Sequence, residues 1–117
     1  MTYEEALALV KTEYETFHDA AHCEVIRTGL TYDGFQGFCV CLYNEGDRVI
    51  LTDMGETKEV FDEVTKEEWT ALCTEAGFTF RHWHIEREFH SLDDVELFIA
   101  FLDAVSNLFW DVDDDDE

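Results

Sequence analysis

Cations are what this chain has least of. Seven Lys and Arg stand against 29 Asp and Glu, a formal net charge of −22 on 117 residues. A surface so poor in positive charge works against direct contact with nucleic acid or an anionic membrane. There is no proline, no internal repeat and no low-complexity segment apart from the acidic end, so nothing marks an interdomain linker. No apolar run approaches the roughly 20 residues of a membrane-spanning helix. The spacings that hold metals or redox pairs are missing too, since neither C-x-x-C nor H-E-x-x-H occurs. Gly34, Gly37 and Gly46 form no phosphate-cradling loop.

What is present describes a small folded domain. At 46% hydrophobic the chain can bury a core, unlike a disordered chain, which pairs high charge with low hydrophobicity. Residues 1–110 read as a single acidic α+β domain, and 111–117 as a disordered acidic tail with six carboxylates. Residues 1–58 hold 11 acids and 4 bases, and residues 59–117 hold 18 acids and 3 bases. Without the tail the remainder still carries −16, so the folded surface itself is anionic.

Periodicity and capping signals outline the elements. Tyr3, Ala6, Leu7, Val10, Tyr14 and Phe17 recur at spacings of three and four, predicting an amphipathic helix over residues 2–17. Thr2 with Glu5 is a capping-box pair at its start. Strands are expected at 23–30, 36–43 and 48–52, joined by turns at 31–34 and 44–47, as a three-stranded antiparallel meander. Two short helices follow. The first turns Val60, Phe61 and Val64 inward. The second opens at Thr65 and Glu68, carries Trp69, Leu72, Cys73 and Ala76, and stops at Gly77. Phe78, Phe80, His82 and His84 alternate with Thr79, Arg81, Trp83 and Ile85 as a fourth strand. Ser91 and Asp94 open a C-terminal helix with two apolar stripes, Val95–Phe98–Leu102–Val105–Phe109 and Leu97–Phe101–Ala104–Leu108. A helix this apolar is either central or shared with a second subunit.

The reactive side chains assemble no recognisable apparatus. Cys23, Cys39, Cys41 and Cys73 read as reduced, with Cys39 and Cys41 serving as small hydrophobes on one strand face. Residues 2–17 read as a domain helix rather than a leader, so the expected compartment is the cytoplasm. His82 and His84 would share a strand face, with His18, His22 and His90 as further imidazoles, and alternation explains them without a metal. No cofactor or metal is expected, and nothing in the pattern points to an enzyme.

Two resemblances bear on function. The stretch Val49-Ile50-Leu51-Thr52-Asp53-Met54-Gly55, followed by two short helices, a strand and an apolar C-terminal helix, resembles a bacterial and phage domain family of unknown function. In that family the last meander strand ends in L-T-D-x-G. The resemblance runs from about Val25 to Leu108 and implies an α+β fold without an activity. By composition the chain is also similar to small acidic phage inhibitors of host defence, the anti-CRISPR and anti-restriction proteins that act as DNA mimics.

The function expected from these readings is an acidic DNA-mimic-type inhibitor that binds a basic nucleic-acid-binding protein, an anti-CRISPR protein blocking a CRISPR effector being its concrete form. Its expected partner-binding residues are Glu56, Glu59, Asp62, Glu63, Glu67, Glu68, Asp93, Glu96 and Asp103. The alternative is a homodimeric, non-enzymatic accessory domain whose acidity serves solubility, joined through Leu97, Phe101 and Leu108.

Overall fold

The computed structural model describes residues 1–19, 23–28 and 40–114. The expected turn at 31–34, the start of the second strand with Cys39, His22, and tail residues 115–117 lie outside the described residues. The fold is α+β. In chain order it comprises α1 (Tyr3–Lys11), β1 (Thr16–Asp19), β2 (Cys23–Ile26), β3 (Val40–Glu45), β4 (Arg48–Thr52), α2 (Glu56–Val60), α3 (Lys66–Ala76), β5 (Thr79–Arg81), β6 (His84–Glu88) and α4 (Leu92–Asp114). The strands form one antiparallel sheet in the order β1-β2-β3-β4-β6-β5.

Six strands replace the expected four, for two local reasons. The N-terminal helix is shorter than its apolar spacing implies. It leaves α geometry after Thr12, whose hydroxyl donates to the Leu9 carbonyl at 2.7 Å. Residues 16–19 then pair with β2 as an edge strand, with Phe17 opposite Val25. Tyr14 still packs against the core, but Phe17 is exposed under the Arg27 guanidinium, 5.3 Å from the ring centroid. Further on, the single strand expected over 78–85 is a hairpin. Arg81 pairs with His84 and Phe80 with Ile85, leaving His82 and Trp83 as a two-residue loop. Phe80 therefore lies opposite Ile85, and the alternation does not run on through His84. His82 and His84 sit at a turn and a strand start rather than along one strand.

The capping signals correspond to real bonds. Thr2–Glu5 and Thr65–Glu68 both close reciprocal capping boxes. At α4, Ser91 N donates to Asp94 at 3.0 Å, and Asp93 N donates to the Ser91 hydroxyl at 3.3 Å. Gly77 ends α3 in the left-handed conformation. Helix α4 runs on through Asp114, four residues into the segment read from sequence as a tail.

Helices and sheet share one core. Val40, Leu42, Val49, Leu51 and Ile85 of the sheet join Ala6 and Val10 of α1, Trp69 and Cys73 of α3, and Val95, Phe98, Leu102 and Val105 of α4. Fully burying each large side chain contributes about 1.5–3 kcal/mol. Aromatic contacts fix how α4 sits. Phe78 meets Phe98 edge-on at 5.1 Å and stacks on Phe101 at 4.5 Å, while Phe109 contacts Phe61 at 5.3 Å and Trp69 at 5.7 Å. Among the described residues no helix is long and apolar enough to cross a membrane.

Candidate functional site

The site begins with one carboxylate at the end of β4. Leu51, Thr52 and Asp53 are all buried. Asp53 Oδ1 accepts from Gly55 N at 2.9 Å and from Ile85 N at 2.8 Å, and Oδ2 accepts from Thr57 N at 3.2 Å. The Asp53 amide in turn donates to the Ile85 carbonyl at 3.1 Å. One side chain thus satisfies donors at the start of α2 and at the start of β6, the latter 32 residues beyond Asp53 in sequence. Burial pushes the Asp53 carboxyl up from its ordinary value, and the amides of Gly55, Ile85 and Thr57 offset part of that. The L-T-D-x-G stretch is therefore a clamp between two turns.

Both turns are left-handed. Met54 (φ 57°) precedes Gly55 (φ 79°), and His82 (φ 53°) precedes Trp83 (φ 65°). A Cβ on Gly55 would lie 3.1 Å from His84 Cδ2, so this position needs glycine for its conformation and for the close approach of the hairpin. Positive φ at consecutive loop residues is the type I′ pattern, which Asn-Gly ordinarily fills. His and Trp hold it at a cost on the order of 1–3 kcal/mol each, tolerable only where surrounding contacts over-determine the backbone. Met54, His82 and Trp83, the non-glycine residues with positive φ among those described, all line one cavity of about 500 Å³. Glu56, Lys58, Glu59 and His84 complete its rim with Gly55. Trp83 is 41% exposed, lies edge-on to Phe80 at 5.9 Å, and carries the Lys58 ammonium 5.0 Å from its ring centroid.

The nine carboxylates singled out from the sequence are all exposed. Glu56 and Glu59 lie on α2, Asp62 and Glu63 in the turn after it, and Glu67 and Glu68 in the first turn of α3. Glu68 also works in the α3 cap, where it accepts from Thr65 N at 2.9 Å. Asp93, Glu96 and Asp103 lie on α4. Asp93 is about 24 Å along the helix axis from Phe109, the residue that touches α3. Glu96 instead lies near Tyr14, whose hydroxyl is raised by burial and then by that charge. Six of the nine acids thus lie within residues 56–68 and three on α4.

None of the nine forms an ion pair with a cation among the described residues. The arginines are engaged elsewhere. Arg48 meets Glu45 at 2.8 Å and Glu88 at 4.0 Å, and Arg81 meets Glu86 at 2.7 Å and also Glu45. Arg87 meets Asp94 at 2.8 Å and Arg27 meets Glu15 at 3.7 Å. The Arg81 hydrogen bond holds the Glu45 carboxyl below its ordinary value. Burial and then the Glu86 charge raise Tyr43, whose hydroxyl donates to Glu86 at 3.2 Å.

The apolar residues singled out on α4 divide. Leu97 and Leu108 are 48% and 50% exposed, while Phe101 is half-buried on Phe78. Cys41 and Cys73 are both buried, and burial followed by the Asp53 charge pushes the Cys73 thiol up to about 12. Among the described residues no three His, Cys, Asp or Glu side chains converge on a metal position.

Sequence reasoning missed the Asp53 clamp and the Trp83 hairpin. The L-T-D-x-G stretch was a visible signal for the first. For the second none existed, because His82-Trp83 carries no glycine, asparagine or proline. No family model, curated protein or solved structure matches the chain.

Proposed function

We propose that the chain is a non-enzymatic acidic inhibitor, acting in the cytoplasm as a DNA mimic that occupies the basic groove of a nucleic-acid-binding protein. A CRISPR effector, which reads its short DNA motif through arginine and lysine, is the concrete candidate. The observation that supports this reading is the division of charge. Nine surface carboxylates stand without a described cation, while the four arginines are paired among other acids. Carboxylates spaced along α2, the turn after it, α3 and α4 present a charge pattern that a phosphate-binding groove would attract, with fast, salt-sensitive association. Reversing Glu59, Asp62 and Glu63 to Lys is expected to weaken partner binding more than about ten-fold. In a pull-down of the candidate effector, duplex DNA should compete for the same groove. An affinity that stays flat up to about 0.5 M salt would sink the mimic reading.

A second reading has its own observation, the exposure of Leu97 and Leu108 on one side of α4. It makes the chain a homodimeric accessory domain. Sedimentation at physiological salt separates the two, because a particle near 13.7 kDa, unchanged by Leu97→Glu, leaves the dimer without support. Leu97 is a cleaner probe than Phe101, whose ring packs on Phe78.

A further inference from the structure

We infer that the cavity between α2 and the β5–β6 hairpin is an arginine pocket, receiving one guanidinium of the basic partner between the Trp83 indole and the carboxylates of Glu56 and Glu59. The inference rests on the reading of a basic partner and names where and how one of its side chains docks. Three independent features converge there. The first is a cation already at the indole, since the Lys58 ammonium lies 5.0 Å from the Trp83 centroid. The ring thus attracts positive charge from within the chain. The second is the charge of the lining, the two carboxylates of Glu56 and Glu59 against the one ammonium of Lys58. The third is the backbone. Met54, His82 and Trp83 all take left-handed conformations around this one cavity, and buried Asp53 bonds to the Gly55 amide of the first turn and to the Ile85 amide in the strand that follows the second. The Trp83 backbone is fixed in a left-handed turn next to the Asp53 bond, and its indole packs edge-on to Phe80, so the site is pre-organised and a ligand need not order it on binding.

The chemistry favours arginine over lysine. A planar guanidinium stacks on an indole while its edge bonds a carboxylate, and it sheds water more readily than an ammonium does. The arriving guanidinium takes the place of Lys58 at the ring. Lys58 therefore competes with the ligand, which gives the test a definite sign.

The probes are nona-arginine and nona-lysine peptides, titrated into the full chain at low salt and followed by 1H–15N NMR, with the Trp83 indole resonance assigned from Trp83→Phe. The expected result is a shift of that indole and of the Glu56 and Glu59 amides, with the arginine peptide bound about threefold more tightly than the lysine peptide. Trp83→Ala should erase that preference. Lys58→Gln should tighten arginine binding about threefold by uncovering the ring. Lys66→Gln, the same change of charge on α3, should do so clearly less. Should Trp83→Ala fail to fold, the Lys58 and Lys66 variants decide, because both keep the indole. If the arginine peptide binds with Trp83 silent, or if Lys58→Gln and Lys66→Gln behave alike, the pocket is overturned while the basic-partner reading stands. If neither peptide binds at low salt, both are overturned.

Discussion

Around the sheet each arginine has a carboxylate beside it, whereas among the described residues the nine carboxylates singled out on α2, α3, the turn between them and α4 form no ion pair. The difference follows burial. Glu86 and Asp94 have side chains only 10% and 8% exposed, and each is held by an arginine. Taking an ion out of water is costly unless a partner and hydrogen bonds replace the hydration, and Arg81 and Arg87 supply that partner to these two acids. The exposed acids need no such partner to stay charged. They add self-repulsion to the folded state and take little part in packing, which leaves them free to meet something outside the chain.

That contrast can be broken most forcefully at Asp53. Asp53→Ala leaves the amides of Gly55, Thr57 and Ile85 without their acceptor in a buried place, and is expected to cost on the order of 4 kcal/mol in denaturant unfolding. Asp53→Asn should cost less. It keeps one acceptor oxygen and escapes the desolvation that raises the carboxyl. An alanine variant of near wild-type stability would remove the clamp from the account.

A smaller loss is expected from Asp94→Asn, about 2 kcal/mol at neutral pH, since Asp94 pairs with Arg87 and accepts from the amides of His90 and Ser91. The pH dependence sharpens this. Burial alone would raise the Asp94 carboxyl, but Arg87 and those two amides outweigh it and bring it below its ordinary value. A lowered carboxyl contributes stability that is fully present above the unfolded aspartate range, near pH 3.9, and lost as pH falls through the lower folded value. Unfolding midpoints of wild type and variant should therefore converge only below about pH 4.

The smallest effect belongs to the surface acids. Reversing Glu59, Asp62 and Glu63 to Lys, the change that should cripple partner binding, is expected to move folding stability by no more than about 0.5 kcal/mol. A thermal melt at low salt checks it. A clear destabilisation would mean that these acids have folded-state partners, and the contrast would collapse.

The helix boundaries were the most legible part of the fold, because a cap is a local bond between residues three apart. Thr2–Glu5, Thr65–Glu68 and Ser91–Asp94 each mark a start, and Gly77 marks a stop. The end of α1 was hidden because Tyr14 and Phe17 happen to continue its spacing, although only Tyr14 packs on the core. The β5–β6 hairpin was hidden for the opposite reason. Its turn is specified by tertiary contacts, the Asp53 bond to Ile85 and the packing of Trp83 on Phe80, and not by turn residues. The acidic face could be read as a list of exposed carboxylates. How α4 lies against the rest could not, because that depends on Phe109 meeting Trp69 and on Glu96 lying near Tyr14.

The bond from Asp53 to Ile85 also bears on how the chain folds. It joins the end of β4 to β6 across the excursion that contains α2, α3 and β5, a sequence separation of 32. Closing a loop of that length costs about 3 kcal/mol of chain entropy before any β4–β6 hydrogen bond is gained. The β3–β4 hairpin closes through a two-residue turn with Gly46 left-handed, and pays almost none of this. Among the described residues, β4–β6 is therefore the least local of the strand pairings. A chain lacking the Asp53 carboxylate would keep its hairpins and lose the contact that rewards bringing the two segments together.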